Sequence, residues 1–321
     1  AARRDPALRG AVILTFAAAA LAAQEPVRTP PVFGVSVDTV YIDAFVTRSG
    51  RPVPGLDATD FELKDNGVSQ AIEIASAEAQ PLLAVLAFDV SGSLDGEKLS
   101  ALKAASASLL GSLRPEDRAG LITFSDEIGW RVEPSADKSL VRKALDDIRP
   151  GGGTPVRDAL FAALTLPETE GRSLVVLFTD GVDNMSWLGW KEVREVAQRS
   201  NALVYIVTLE PPAVRAEETN AFLGFRGPQP SAKVLEFEDS YGLRQIAEVT
   251  GGRYLVAASR ESLASVFAAI AESMSRRYIL RYAPQGVPRP GWHRIELKVR
   301  GVRADVHTRS GYWVPESEPV R

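Results

Sequence analysis

The chain has 321 residues, with 37 Lys and Arg against 41 Asp and Glu, a formal net charge of −4, and 45% hydrophobic and 24% charged residues. That composition belongs to a globular protein of about two domains; it excludes wholesale disorder and leaves no electrostatic footprint for nucleic acid. With no cysteine, disulfides, thiolate nucleophiles and zinc–thiolate sites are excluded, and two histidines, His293 and His307, leave almost nothing for a His-based triad or a zinc site. Any metal must be held by oxygen, which points to Mg²⁺, Mn²⁺ or Ca²⁺.

Arg3, Arg4 and Arg9 precede an Ala-rich apolar run over 11–23 that ends in small residues and is too short to anchor in a bilayer. Residues 1–23 therefore read as a secretory signal peptide. The product is expected to be exported, periplasmic or secreted, with no transmembrane segment in the mature chain. Pro-rich residues 24–33 read as an extended linker. Residues 34–78 form an N-terminal β segment: 35–47 alternates apolar with polar, and Asp65-Asn-Gly67 marks a hairpin turn.

Residues 79–275 alternate apolar strands with helices. Strands are expected over 82–88, 120–124, 128–132, 174–178, 203–208 and 254–256. Helices are expected over 94–113, 138–148, 155–166, 186–198 (capped by Ser186), 243–249 and 260–276. Continuously apolar strands in repeated β–α units predict an α/β fold with a doubly wound, mostly parallel sheet covered on both faces. Residues 211–238 read as an unusually long connection carrying Phe222, Leu223 and Phe225, either a surface insertion or a partner-contacting loop. Residues 276–315 return to β, with strands over 278–282, 292–299 and 304–313, and 316–321 form a tail. His293 and His307 read there as solvated strand positions. Neither β segment buries a good core alone, so the two are expected to pair as a small β-sandwich flanking the α/β domain.

Three loops carry the chemistry. Asp89, Ser91 and Ser93 stand in D-V-S-G-S at the C-terminal end of the first apolar strand, the edge at which doubly wound sheets bind ligands. Thr154 follows Gly151-Gly-Gly153 at the start of a helix, and Asp180 ends the strand over 174–178. Each loop alone reads equally well as a helix cap or turn; all three at matching strand ends make an all-oxygen site for a hard cation. Asp158, one turn after Thr154, and Asp183 read either as outer-shell groups of that site or, more simply, as ordinary capping or surface groups. Trp187 and Trp190 read either as a rim for ligand contact or as packing on the sheet edge. No G-x-S-x-G elbow and no phosphate-binding G-x-x-x-x-G-K-[ST] loop occurs, and the chain is expected not to be an enzyme.

On these residues the sequence resembles the von Willebrand factor type A family over about residues 79–275. Asp89, Ser91 and Ser93 match its D-x-S-x-S motif, Thr154 its separate threonine, and Asp180 the aspartate after the fourth core strand. The resemblance implies a Rossmann-like domain with a complete metal-ion-dependent adhesion site. In such a site Ser91, Ser93 and Thr154 contact a divalent cation directly, Mg²⁺ foremost, and Asp89 and Asp180 act largely through water or hydrogen bonds. A partner protein's Asp or Glu completes the shell. In family members that switch, the last helix moves, here residues 260–276. The wider layout is similar to exported, acidobacterial-type proteins of that family: Leu56, Asp60, Phe61 and Leu63 at one end, Y-I-L-R-Y at 278–282 and R-S-G-Y-W at 309–313 at the other. The expected function is an exported, metal-dependent protein-binding or adhesion module. The alternative is a structural or assembly protein of the cell envelope that binds through its β-sandwich or the 211–238 loop, the metal only stabilising it.

Overall fold

The computed structural model describes residues 39–75, 81–94, 96–165, 172–209, 232–288 and 290–316. In chain order the elements are β1 (Val40–Arg48), β2 (Arg51–Pro52), β3 (Phe61–Asp65), β4 (Val68–Gln70), β5 (Glu73–Ala75), β6 (Leu82–Asp89), α1 (Gly96–Ser112), β7 (Arg118–Phe124) and β8 (Ile128–Ser135). They continue as α2 (Ser139–Asp146), α3 (Val156–Thr165), β9 (Arg172–Thr179), α4 (Trp190–Arg199), β10 (Ala202–Leu209), α5 (Ala232–Thr250), β11 (Arg253–Ala257) and α6 (Leu263–Ser275). The last strands are β12 (Tyr278–Tyr282), β13 (Gly291–Val299), β14 (Asp305–His307) and β15 (Gly311–Val314). The signal-peptide and linker expectations, and most of the 211–238 connection, lie outside the described residues. Among the described residues, no helix is long and apolar enough to cross a membrane.

The centre is a six-stranded sheet in the order β11-β10-β9-β6-β7-β8. Strand β6 is buried along its whole length, and its side chains alternate between two cores, as the two-residue period of a strand requires. Leu82, Ala84, Leu86 and Phe88 pack with α1, α2 and α6; Leu83, Val85 and Ala87 pack with α3, α4 and α5. From β6 the chain first moves to β7 and then returns through α2 and α3 to β9 on the other side. The strand order therefore reverses between β6 and β9, and at such a reversal an open α/β sheet forms its ligand crevice at the C-terminal strand ends.

Two smaller antiparallel sheets join the ends of the chain. β1 lies between β12 and β14, and β3 pairs with β13 and β4. The β3–β4 turn is the expected Asn-Gly hairpin, with Asn66 and Gly67 at φ 47° and 81°. Both sheets contribute to one apolar cluster, including Ile42 and Val46 of β1, Leu63 of β3, Leu280 of β12 and Leu297 of β13.

Four pairings are parallel and eight antiparallel. The parallel ones are four of the five pairings of the central sheet, the sheet expected to be mostly parallel; the fifth, β7–β8, and both small sheets are antiparallel, so across all the sheets antiparallel pairing prevails. Parallel pairing needs a long crossover, and it is confined to the run from β11 to β7.

Other expectations change in detail. The strand expected over 304–313 is two strands, β14 and β15, that join different sheets. Helix α5 begins at Ala232, so the end of the expected 211–238 connection is helical. Ser186 does not cap α4, which starts at Trp190 behind Gly189. His293 is buried rather than solvated. Its Nδ1 lies 2.9 Å from Asp65 Oδ1 and its ring stacks on Tyr312. The hydroxyls of Tyr282 and Tyr312 donate to Asp65 Oδ2 at 2.9 and 2.8 Å. Burial, with Asp65 alongside, holds both hydroxyls protonated far above the usual tyrosine range.

The small sheets meet the central sheet at the end remote from the crevice. Arg172, opening β9, donates to Asp43 of β1 at 2.8 Å. Arg277, immediately after α6, is buried and donates to the Tyr205 hydroxyl and the Gly251 carbonyl at 2.9 and 2.7 Å. Ser310 N donates to Val249 O at 3.1 Å, tying the segment between β14 and β15 to the end of α5.

Candidate functional site

Asp89 is the last residue of β6 and is wholly buried. Its carboxylate is used on both sides: Oδ1 accepts from Ser91 N at 2.9 Å and Oδ2 from Thr179 Oγ1 at 2.6 Å. The turn after β6 thus closes on its own carboxylate and brings its hydroxyls to the crevice. Ser91 Oγ lies 3.0 Å from Ser93 Oγ, which donates to Asp180 Oδ1 at 2.6 Å.

The glycine loop is fastened to this turn by Gly151 N to Val90 O at 2.9 Å and Gly92 N to Gly152 O at 3.1 Å. Gly152 has φ +85°, and a Cβ there would lie 2.6 Å from Asp126 Cγ. Asp126 also accepts from Gly153 N at 2.9 Å. Thr154 is fixed by Asn184, whose Oδ1 accepts from Thr154 N at 2.8 Å and whose N donates to Thr154 O at 3.1 Å. Gly181 keeps the centre open: a Cβ on it would sit 3.3 Å from Thr154 Oγ1 and 3.8 Å from Ser93 Oγ.

The structure thus brings Ser91, Ser93, Thr154 and Asp180 around one point, with Asp89 beneath them. Burial above all raises Asp89 from its ordinary value to about 6, against the hydrogen bonds from Ser91 and Thr179. A carboxylate this reluctant to ionise, beside three hydroxyls and a second carboxylate, suits an added positive charge. The donors are all oxygen, as a hard divalent cation prefers. Among the described residues, no three His, Asp or Glu side chains gather as a metal cluster; the donors here are mainly hydroxyls.

Residues 84–182 match the family model of the von Willebrand factor type A domain. Over that stretch the chain is similar to a type A domain. The match runs from β6 to just past Asp180 and so takes in all three site loops. Among curated proteins, inter-alpha-trypsin inhibitor heavy chain H4 of Sus scrofa is 27% identical over 183 residues, 51% of this chain and 20% of that protein. Heavy chain H2 of Homo sapiens is 36% identical over 107 residues, 29% of this chain and 11% of that protein. The matched stretch is thus a fifth or less of these relatives' own length. Among solved structures, a von Willebrand factor type A protein from Catenulispora acidiphila aligns with a TM-score of 0.49 and 13% identity, covering 85% of this chain and 76% of that one.

Around this site, Thr179, Asn184 and Lys98 are supports that the sequence reading missed, whereas Asp126 belongs to the Phe124-Ser-Asp126 phrase that resembles the family's pattern. Thr179 was within reach: β6 and β9 pair in parallel with Phe88 opposite Phe178, so the next step sets Thr179 beside Asp89. Asp126 and Asn184 act through backbone groups of the glycine loop, and Asn184 carries no such sequence signal. Asp158 and Asp183 are structural. Asp158 accepts from Trp187 N and Leu188 N at 3.0 and 2.9 Å. Asp183, with Ser186, receives the first backbone N–H groups of α3. Trp190 packs on the core beneath α5, whereas Trp187 is 94% exposed.

Proposed function

We propose that this chain is exported and that its type A-like region is a metal-dependent protein-binding module. A divalent cation, Mg²⁺ foremost with Mn²⁺ or Ca²⁺ as substitutes, would be held by Ser91, Ser93 and Thr154 directly and by Asp89 and Asp180 largely through water or hydrogen bonds. Bound there, the cation supplies a positive centre with room for an outside ligand, and an Asp or Glu side chain of a partner protein fills it. The observation that carries this reading is the chain of oxygens Ser91 Oγ, Ser93 Oγ and Asp180 Oδ1, at 3.0 and 2.6 Å, at the point where the strand order reverses. Ser91 and Ser93 offer neutral donors, so the protein leaves charge on the metal for an acidic partner to neutralise. Asp89, locked by Ser91 N and Thr179, orients the turn. A binding role rather than catalysis fits this donor set: both histidines lie in β13 and β14, away from any nucleophile in the crevice. The two antiparallel sheets, read as a β-sandwich, serve as a platform for the domain.

The test is calorimetric titration of Mg²⁺, Mn²⁺ and Ca²⁺ into the full chain, beside Asp89→Ala and Ser91→Ala. About one equivalent of cation is expected in the wild type and none in Asp89→Ala. Partner capture should be lost with EDTA and with Ser91→Ala while folding survives. Capture that persists in both would instead support the structural or assembly role, with metal only stabilising. A folded wild type that takes up no cation overturns the metal-dependent reading.

A further inference from the structure

Lys98 lies in the first turn of α1, where the helix dipole disfavours a cation. Its ammonium nevertheless points back over the turn: Nζ donates to Asp180 Oδ2 at 2.7 Å and to Ser93 O at 2.8 Å. The Asp180 side chain is only 1% exposed and that of Lys98 26%. The pair is therefore largely withdrawn from water, where a charge–charge contact is poorly screened. The other oxygen of the same carboxylate accepts from Ser93 Oγ. One acidic group thus serves a serine hydroxyl on one side and a lysine on the other.

We propose that Lys98 is an internal counter-cation that sets how tightly this site holds a divalent ion. This rests on the cation-binding reading above and extends it to regulation of that site. When no metal is bound, the ammonium neutralises Asp180 and pins the Ser93 turn. A divalent cation bound among Ser91, Ser93 and Thr154 faces that ammonium across Asp180, and the two like charges compete for one carboxylate. Apparent affinity is then reduced by the fraction of molecules in which Asp180 is engaged by Lys98. The lysine keeps Asp180 neutralised while no metal is bound, and makes occupancy depend on the divalent-ion level.

The test is Mn²⁺ titration of the full chain by calorimetry, in wild type, Lys98→Met and Lys98→Arg, together with thermal unfolding in EDTA. Lys98→Met is expected to bind Mn²⁺ about tenfold more tightly, with a lower metal-free unfolding temperature, because Asp180 loses its counter-charge. Lys98→Arg keeps the positive charge and is expected to stay within about threefold of wild type. Should Lys98→Met fail to fold, Lys98→Gln serves the same comparison. Equal or weaker Mn²⁺ binding in the folded neutral variants overturns the proposal while leaving the cation site intact. Absence of Mn²⁺ binding in wild type and variants alike overturns the cation site and this inference with it.

Discussion

Thr179 donates its hydroxyl to Asp89 Oδ2 at 2.6 Å, joining the ends of the two strands between which the sheet order reverses. Both residues are buried, so the bond cannot be replaced by water. Thr179→Val keeps the shape of the side chain and removes the donor. It is expected to destabilise the protein by about 1–3 kcal/mol, the penalty of an unsatisfied buried polar group. Thr179→Ser should recover most of that loss. Urea unfolding of the three proteins checks it; a Val variant as stable as wild type would show that Asp89 needs no partner there.

Asp183 performs a comparable task one loop away. It accepts from Arg157 N at 2.9 Å, from the Arg157 guanidinium at 3.1 Å and from Ser186 Oγ at 2.6 Å, holding the 183–186 loop against the start of α3. Burial raises its pKa, but these hydrogen bonds outweigh burial and leave it below the ordinary carboxylate value of 3.8. A folded pKa below the unfolded one means stability that is present above the unfolded value and is lost as pH falls through the folded value. Asp183→Ala is expected to cost about 2–3 kcal/mol at neutral pH, the partly exposed guanidinium moderating the loss. The gap to wild type should hold from pH 8 to 5 and narrow below about pH 4. Unfolding free energies across that range test this; a gap that widens in acid would contradict it.

The parts legible in the sequence are those with local periodicity. Apolar runs such as 82–88 and 174–178 mark β6 and β9, and the D-V-S-G-S turn marks the site because its hydrogen bonds close within a few residues. What escaped depends on long-range pairing. Ser186 lies just before a helix and looks like its cap, yet its hydroxyl serves the N–H groups of Arg157 and Asp158, about thirty residues earlier in the chain. His293 shares a strand face with Ile295 and Leu297, yet a lone histidine reads as solvated until Asp65, Tyr282 and Tyr312, from three other strands, form the polar cluster around it. Lys98 is an ordinary helix-surface lysine in sequence, and only the return of β9 beside β6 gives it Asp180.

His307 sits half-buried in β14, with its ring stacked on Phe45 at 6.2 Å between centroids. Burial first, then the neighbouring Arg253 and Arg277, lower its pKa from 6.5, against a smaller opposing effect of Asp305. The folded protein therefore takes up the proton less readily than the unfolded chain. Stability from this group is complete above about pH 6.5 and is lost as pH falls through the lower folded value. Thermal unfolding temperature is expected to drop between pH 7 and pH 5 more steeply in wild type than in His307→Gln. Parallel pH profiles for the two proteins would remove His307 from the account.

Trp187 stands at the tip of the loop that begins with Asp180, 94% exposed, and Val182 and Met185 on the same loop are 38% and 42% exposed. Its backbone is not loose: Asp158 accepts from Trp187 N and Leu188 N, and Asn184 ties the loop to Thr154. A large aromatic side chain held out on a fastened loop beside the proposed cation site has the character of a binding anchor, for which aromatic residues are favoured at interfaces. Trp187→Ala is expected to leave unfolding free energy within about 0.5 kcal/mol of wild type, since almost no buried area is lost. Trp190→Ala, three residues on and packed against α5, should cost about 3 kcal/mol. For a protein captured by the wild type in the presence of divalent cation and released by EDTA, Trp187→Ala should weaken binding by about 2 kcal/mol or more. Measuring Kd and unfolding for both variants separates the roles. If Trp187→Ala bound that protein normally, the partner's footprint would stop short of the loop tip.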